Sequence, residues 1–351
     1  MNSRKDDHVD LALQQSVDPQ SDFDQLNFIH HALAGTSRAQ VDLHVSDDNL
    51  SWSHPIYINA MTGGTTKTGE INRQLAQVAA QTGVAIACGS MSPVLKDPMA
   101  TKSFEVIREN NPEGFLIANI NATFSPTQAQ QMVDLISANA LQIHINSIQE
   151  IVMPEGDRDF SNWSTNISAI VAHVSVPVIV KEVGFGLSGK TLTQLRELGV
   201  QYADVSGRGG TNFAQIENSR RSHGEYAFMK SWGHSAVRSL LDATTLPVAQ
   251  KPRLLASGGV RNSLDVARLL ALGALGVGVS GGFLKILMND GASALADEIS
   301  SWHNQLKDIM TVLGAKTLTQ LQQTDLVISK DLLDYCNLVG VASQSLARRS
   351  R

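Results

Sequence analysis

The stretch Leu254–Leu284, LLASGGVRNSLDVARLLALGALGVGVSGGFL, decides the fold. It predicts a buried strand, a turn at Gly258–Gly259, a helix capped near Asn262 or Ser263, and a second buried strand followed by a turn at Gly281–Gly282. Glycine turns at the carboxyl ends of two consecutive parallel strands leave backbone N–H groups that point at one anion. The last two loops of a (β/α)8 barrel commonly bind phosphate in this way. The stretch therefore predicts a phosphate-bearing ligand, and a βαβ unit with glycine at ordinary turns is the alternative.

Upstream of this stretch, short apolar runs alternate with helical patterns from Pro55 onward. With the two strands of Leu254–Leu284 there are eight runs, which are PIYINAM, VAIACGSM, GFLIANINA, LQIHINSIQEIV, VPVIVKEVG, QYADVSGRGGTNF, LLAS and ALGVGVS. Such alternation indicates a parallel sheet, and eight units favour a closed barrel over a doubly wound open sheet. No GxGxxG motif follows the first run, which argues against a dinucleotide-binding domain.

We therefore predict the α/β class, as a single (β/α)8 TIM barrel with an N-terminal extension over residues 1–50. Residues 51–351 form the barrel and its C-terminal helices, and we expect residues 290–345 to be helical. The fourth run is expected to continue from its strand into a loop, and residues 97–110 to be one helix.

Composition limits the classes of partner. Lys and Arg number 28 against 33 Asp and Glu, so the formal charge of -5 favours neither nucleic acid nor an anionic membrane. The two cysteines provide no metal spacing and no disulfide framework. The N-terminus lacks the apolar run of a signal peptide, and no apolar run is long enough to span a membrane. We expect a cytoplasmic protein without nucleic-acid or membrane partners.

Lys181 ends the apolar run VPVIVK, where its ammonium group must lose water unless it meets an anion or an electron-rich ring. It is a candidate for a Schiff base or for a cation beside a cofactor ring. A rim lysine paired with Glu182 is the third interpretation. Cys88, near the end of the second run, is more typical of a small buried hydrophobe than of a nucleophile.

The fourth run places further polar residues at the same end of the barrel. His144 and Asn146 alternate in IHIN and so face one side of their strand. Glu150 follows closely, and its carboxylate offers the hard oxygen ligands that suit Mg²⁺. A loop carboxylate exposed to water is the alternative interpretation of Glu150.

Seven motifs occur in one order along the chain, and they are RKDDH, NAMTGGT, ACGSM, IHINSIQE, VKEVGFG, DVSGRGGTNF and ASGGVRN. Together they resemble those of the type 2 isopentenyl-diphosphate isomerase family, and the resemblance covers essentially the whole chain. The insertion that carries Phe228 and Trp232–Gly233 is also similar to that family. The resemblance implies a (β/α)8 barrel, FMN in its reduced form, Mg²⁺, NADPH as reductant, and a homotetramer or homo-octamer.

The same resemblance implies roles for individual residues. FMN is implied to contact Ala60, Met61, Thr62, Ser90, Asn119, Lys181, Ser206 and Thr211, with its phosphate on Gly258, Gly259, Ser280 and Gly281. The substrate diphosphate is implied to contact Arg4, Lys5, His8, His144 and Asn146, while Gln149 orients the alkene end and Glu150 binds Mg²⁺. Residues 1–50 then become a substrate-binding extension, although charge pattern alone favours a solvated helix start at RKDDH.

The implied activity is the reversible conversion of isopentenyl diphosphate to dimethylallyl diphosphate, with reduced FMN as acid and base. A redox FMN barrel is the first alternative, but it would need a histidine base and an arginine near the seventh strand. There Ser257–Arg261 contains no histidine. A non-catalytic flavin-binding or phosphometabolite-binding barrel would need neither the N-terminal cations nor Glu150. We also expect residues 1–20 and 214–233 to be lids that close over the diphosphate.

Overall fold

The computed structural model describes residues 4–15, 21–33 and 36–350. The strands are β1 (Leu26–Phe28), β2 (Val45–Ser46), β3 (Ser51–Trp52), β4 (Ile56–Ile58), β5 (Ala85–Ala87), β6 (Leu116–Asn121), β7 (Ala140–His144), β8 (Val178–Lys181), β9 (Tyr202–Asp204), β10 (Arg253–Ser257), β11 (Val277–Val279) and β12 (Leu326–Ile328). The helices are α1 (Arg4–Gln14), α2 (Thr66–Thr82), α3 (Lys102–Asn110), α4 (Pro126–Leu135), α5 (Ser147–Val152), α6 (Trp163–His173), α7 (Gly189–Glu197), α8 (Phe213–Ser219), α9 (Ala236–Ala243), α10 (Ser263–Ala271), α11 (Gly281–Val312), α12 (Leu318–Leu321), α13 (Lys330–Val339) and α14 (Ser343–Leu346).

Strands β4 to β11 form a closed parallel barrel, which confirms the predicted fold class. The barrel closes where β11 pairs with β4, with Val277 opposite Ile56 and Val279 opposite Ile58. This pairing excludes the open sheet. All eight predicted apolar runs supply one barrel strand each.

Local sequence signals explain where several helices begin and end. Thr65 caps α2 through a reciprocal capping box with Thr68, and Gly83 ends the helix with φ 71°. Asn262 caps α10 by accepting a hydrogen bond from the N–H of Asp265, as the sequence predicted. Pro126 occupies the first turn of α4.

The barrel interior changes from apolar to polar toward the carboxyl ends of the strands. Its apolar layer is a cluster that includes Tyr57, Ala85, Ala87, Ile117, Ala140, Ile179, Tyr202 and Leu255. One pleat further along the strands lie buried polar side chains, which include Asn59, Asn119, Gln142, Lys181, Asp204 and Ser257. Every second side chain of a barrel strand points inward. On most of these strands the apolar inward residue is therefore followed, two positions later, by a polar inward residue.

Two local predictions were wrong near functional segments. Gly281 and Gly282 do not form a turn but begin α11, directly after Ser280. The chain after β7 is not a loop, because Ser147–Val152 form a short helix with Asn146 at its cap. In both places a helix starts within three residues of the strand's end, and the first N–H groups of each helix have no helical acceptors.

Two further boundaries differ from the predictions. The helix expected over residues 97–110 is a 3₁₀ turn at Pro98–Thr101 followed by α3. Residues 290–345 are not entirely helical, since β12 pairs antiparallel with β1 of the N-terminal extension. Leu326 and Ile328 are buried while Val327 is exposed, a period of two that favours a strand. Across the described residues, we find no helix both long and apolar enough to cross a membrane.

Candidate active site

A cavity of about 420 Å³ opens at the carboxyl ends of the barrel strands. It brings together all the predicted site residues, which are Arg4, Lys5, His8, Ala60, Met61, Thr62, Ser90, Asn119, His144, Asn146, Gln149, Glu150, Lys181, Ser206, Thr211, Gly258, Gly259, Ser280 and Gly281. These residues come from α1, from the carboxyl-terminal halves of β6, β7 and β8, and from segments that follow barrel strands. Their individual roles stay predictions.

A glycine cradle forms one wall of the cavity after β10 and β11. Gly258 has φ +102°, and a Cβ on it would lie 1.9 Å from the carbonyl oxygen of Gly207. Gly259 has φ +74° and packs against the backbone of Gly209. Among the described residues, no backbone acceptor takes the N–H groups of Gly258 and Gly259. The two glycines let the backbone approach a ligand closely, and their N–H groups are available as donors beside the start of α11. This arrangement fits a phosphate group such as that of FMN.

Lys181 lies on the floor of the cavity and is 4% exposed. Burial lowers its pKa, and the charges of Asp204 and Glu182 oppose that shift. Its Nζ donates a hydrogen bond to the carbonyl oxygen of Glu182 at 2.9 Å. The Glu182 carboxylate instead accepts from the N–H groups of Val183 and Phe185. The predicted alternative of a rim lysine paired with the Glu182 carboxylate is therefore wrong.

His144 is held in the barrel by a neighbouring amide. Its Nδ1 lies 3.0 Å from Asn119 Oδ1, and Asn119 Nδ2 donates to the carbonyl oxygen of Cys88 at 3.2 Å. Burial lowers the pKa of His144 to about 3, with the charges of Lys181 and Lys5 acting in the same direction. Because the Asn119 oxygen can only accept, the neutral imidazole carries its proton on Nδ1 and turns Nε2 toward other partners.

Cys88 is buried, and burial raises the pKa of its thiol to about 12. A thiol in this environment is not a thiolate nucleophile. The structure therefore agrees with the interpretation of Cys88 as a small hydrophobe.

The N-terminal helix α1 lies across the mouth of the barrel and brings Arg4, Lys5 and His8 to it. Arg4 Nη1 lies 3.4 Å from the Met153 sulfur and 3.9 Å from Glu155 Oε1. Burial, followed by the charge of Arg4, lowers the pKa of Lys5 to about 8. His8 Nε2 lies 2.9 Å from Glu217 Oε1.

The acidic residues of α1 dock the helix against the start of α2. Thr65 Oγ1 donates to Asp6 Oδ1 at 2.9 Å, and Lys67 Nζ donates to Asp10 Oδ1 at 2.8 Å. The carboxylates within and beside the RKDDH motif therefore orient the helix so that its cations face the cavity. Whether residues 1–20 and 214–233 move stays a prediction, and residues 1–3 and 16–20 lie outside the described part of the chain.

Glu150 lies at the rim, where both carboxylate oxygens accept hydrogen bonds. Asn146 Nδ2 donates to Oε1 at 2.9 Å, and the N–H of Asp157 donates to Oε2 at 3.0 Å. The described residues contain no cluster of three or more acidic, histidine or cysteine ligands. A single carboxylate fits Mg²⁺ nonetheless, because this ion commonly uses one or two carboxylates with substrate phosphates and water.

Glu217 contacts two predicted site residues, Gln149 and His8, although it was not itself predicted from the sequence. Its carboxylate is buried on α8 and accepts hydrogen bonds from Gln149 Nε2 at 2.8 Å and from Arg220. Burial would raise the pKa of Glu217, but the contacts with His8, Gln149 and Arg220 lower it to about 2. No local pattern in the insertion distinguishes this glutamate from a surface residue.

Asp204 was also missed, although a signal was present. Tyr202, Asp204 and Ser206 alternate along the sixth predicted run, which places Asp204 inside the barrel with Tyr202. The structure buries it completely.

Comparison with protein families and curated proteins identifies the relatives of this chain. Residues 109–328 match the FMN-dependent dehydrogenase family. The isopentenyl-diphosphate delta-isomerase of Streptomyces sp. (strain CL190) is 54% identical, and the match covers 99% of this chain and 95% of the relative. The isomerase of the same name from Staphylococcus epidermidis is 44% identical, with 96% of each chain covered.

Solved structures share the fold at much lower identity. A flavocytochrome b2 variant with benzoylformate has a TM-score of 0.69 at 17% identity, covering 91% of this chain and 82% of that one. A mandelate oxidase variant with an FMN adduct has a TM-score of 0.65 at 14% identity, with 92% of each chain covered. At such identities the likeness establishes the barrel architecture alone.

Proposed function

This chain belongs to the isopentenyl-diphosphate delta-isomerase family, and from that premise we propose how its cavity works as an FMN-dependent isomerase. The reaction is the reversible interconversion of isopentenyl and dimethylallyl diphosphate, a 1,3 shift of a double bond without net redox change. One observation supports the proposal most strongly: a single cavity combines a glycine cradle with Arg4, Lys5 and His8 of α1 and with Glu150.

The order of the strands separates two anion sites. In the barrel order β10-β11-β4-β5-β6-β7-β8-β9, the strand before Glu150 is four places from β11. Glu150 and the cradle after β11 therefore lie on opposite sides of an eight-stranded barrel. We assign the FMN phosphate to Gly258, Gly259, Ser280 and Gly281, and the substrate diphosphate to the side of Glu150.

The substrate side combines charged residues of α1 with polar side chains at the end of β7. Arg4, Lys5 and His8 approach from α1, and His144 and Asn146 approach from the end of β7. Mg²⁺ held by Glu150 would offset the repulsion between this carboxylate and the diphosphate. Because α1 is docked by Asp6 and Asp10, its cations are already oriented when substrate arrives.

The flavin side uses the floor of the barrel. Ala60, Met61, Thr62, Ser90, Asn119, Lys181, Ser206 and Thr211 are the residues assigned to the flavin. When bound and reduced, FMN would supply the proton donor and acceptor for the allylic shift. Gln149 positions the alkene end, and its own orientation is held by Glu217. A cation at Lys181 favours negative charge on a ring above it.

A redox FMN barrel is the main alternative. It would need a cationic side chain that is available to a substrate carboxylate near the seventh strand. Arg261 is there, but its guanidinium donates to Asp24 Oδ1 at 2.6 Å and to Asp265 Oδ2 at 2.8 Å. With both carboxylates bound, this arginine is poorly suited to capture an anionic substrate.

The deciding experiment supplies purified protein with FMN, NADPH, Mg²⁺ and isopentenyl diphosphate under anaerobic conditions. We expect dimethylallyl diphosphate to form catalytically, while NADPH is consumed only to reduce the flavin. NADPH consumption that matches substrate turnover would contradict the proposal. The further expectations of a homotetramer or homo-octamer and a cytoplasmic location are tested by light scattering and by fractionation.

A further inference from the structure

Asp204 is a completely buried carboxylate at the end of β9 that the proposed reaction does not use. It accepts hydrogen bonds from Tyr57 Oη at 2.8 Å, Asn59 Nδ2 at 2.9 Å and Ser257 Oγ at 2.9 Å. The N–H of Ser206 donates to its other oxygen at 3.0 Å. Four donors arranged around one carboxyl group suit the anionic form, because a carboxylate only accepts.

The partners of Asp204 adjoin the segments assigned to FMN. Asn59 Oδ1 accepts a hydrogen bond from the N–H of Ala60 at 2.8 Å, so the amide joins Asp204 to the first flavin-lining loop. Ser206 is itself assigned to the flavin, and Ser257 directly precedes the cradle. A single buried anion is therefore connected to three segments around the proposed ring site.

Lys181 is the cation that faces this anion. Lys181 and Asp204 are register partners on adjacent strands, and both side chains are buried on the barrel floor. The Glu182 carboxyl group is engaged elsewhere, because its Oε2 accepts from the N–H groups of Val183 and Phe185, and burial raises its pKa. Asp204 is thus the buried charge that balances Lys181.

We propose that Asp204 is a positioning residue that balances Lys181 and so sets how strongly the site prefers reduced over oxidised FMN. Without this anion, Lys181 remains uncompensated on the floor, and negative charge on the reduced cofactor is stabilised more strongly. The inference rests on the proposed placement of FMN over this floor.

The test is an anaerobic redox titration of the FMN-loaded protein against a reference dye, for the wild type and three variants. For Asp204→Asn we expect the affinity for reduced relative to oxidised FMN to rise at least tenfold, which corresponds to about 30 mV for a two-electron couple. Ser257→Ala removes one donor but keeps the charge, so the ratio should change less than threefold. Lys181→Met removes the cation and should shift the ratio in the opposite direction.

Each outcome decides the proposal. An FMN-bound Asp204→Asn protein with an unchanged ratio overturns it. If that variant does not fold, the double variant Asp204→Asn with Lys181→Met should fold, because removing both members of a buried pair leaves no uncompensated charge. Its ratio should exceed that of Lys181→Met alone, because the buried negative charge is gone. An equal ratio, or a double variant that also fails to fold, overturns the proposal. Wild-type protein that binds no FMN contradicts the proposed function instead.

Discussion

Gln149 donates a hydrogen bond through Nε2 to the buried carboxylate of Glu217 at 2.8 Å. This bond joins α5, after the fourth barrel strand, to α8 in the insertion after the sixth. The same carboxylate oxygen lies 2.9 Å from His8 Nε2 on α1. One buried anion therefore fixes the orienting amide relative to the N-terminal helix that brings the diphosphate-binding cations.

Glu217→Gln tests this connection. The amide keeps the volume of the side chain but loses its charge and one acceptor. We expect kcat/KM for isomerisation to fall roughly 30-fold or more, because a hydrogen bond to a charged group contributes about 1.5–3 kcal/mol. The control is Glu225→Gln, an exposed i,i+4 partner of Arg221, for which the change should stay within about threefold. Equal losses in both variants would contradict the role of Glu217.

Glu150→Gln tests the metal assignment. The variant retains an oxygen for Asn146 but removes the charge that would bind Mg²⁺. We expect the Mg²⁺ concentration for half-maximal activity to rise about tenfold or more, equivalent to ~1.4 kcal/mol, while the affinity for FMN is unchanged. Asp159→Asn is the matched control, since Asp159 is an exposed carboxylate on the neighbouring loop that accepts a hydrogen bond from the N–H of Ser161. Unchanged Mg²⁺ dependence in Glu150→Gln would remove Glu150 from the metal site.

Gly258→Ala tests the phosphate cradle. A methyl group here would lie 1.9 Å from the carbonyl oxygen of Gly207, so the loop must move. We expect the dissociation constant of FMN to rise at least about 100-fold, ~3 kcal/mol, in a fluorescence titration. Gly273→Ala has a similar φ, +107° against +102°, but meets nothing within 4 Å. The Gly273→Ala protein should be less stable because of backbone strain, but it should still bind FMN. The control thus separates the effect of strain from the effect of the clash with Gly207.

The lowered pKa of Lys5 leads us to predict that kcat/KM depends on pH. Burial and the charge of Arg4 lower the pKa of Lys5 to about 8, so its cation is lost as the pH rises through that value. We expect kcat/KM, which reports on the free enzyme, to fall above pH 8 as attraction for the diphosphate weakens. In Lys5→Arg the guanidinium stays protonated, so this decline should disappear. A decline at the same pH in both proteins would assign it to another group.

The lowered pKa of His303 leads us to predict that the free energy of unfolding falls in acid. It stacks on His54 with ring centroids 3.7 Å apart, and burial, with the charge of His54, lowers the pKa of His303 to about 3. The unfolded chain takes up the proton below pH 6.5, whereas the folded chain does not until about pH 3. Stability is therefore complete above pH 6.5 and falls as the pH decreases from 6.5 toward 3.

At pH 5 this effect removes about 2 kcal/mol of the free energy of unfolding. His303→Phe keeps an aromatic ring in the stack but has no proton to bind. Urea unfolding at pH 7.5 and pH 5 should show a smaller difference for the variant than for the wild type. Equal differences would show that His303 is not the sensitive group.

Much of the barrel was predictable because its signals are local. Each apolar run contains one barrel strand, and residues such as Asn262 and Pro126 mark the starts of their helices. The predicted boundaries failed at Gly281 and Ser147, where a helix follows a strand without a turn. The glycine pair Gly281–Gly282 is compatible with a turn as well as with a helix start, and the polar residues around Ser147 are typical of loops and of helix caps alike.

The sequence by itself determined the strand–helix repeat, because hydrophobic periodicity and helix caps depend on neighbouring residues alone. The family motifs also identified the residues that line the cavity. Tertiary structure alone decided which polar side chains meet, since Glu217 contacts His8 and Asp204 contacts Tyr57 across more than a hundred residues of chain. A buried charge is stable only with partners around it. Those partners come together only when the barrel closes and α1 docks on it.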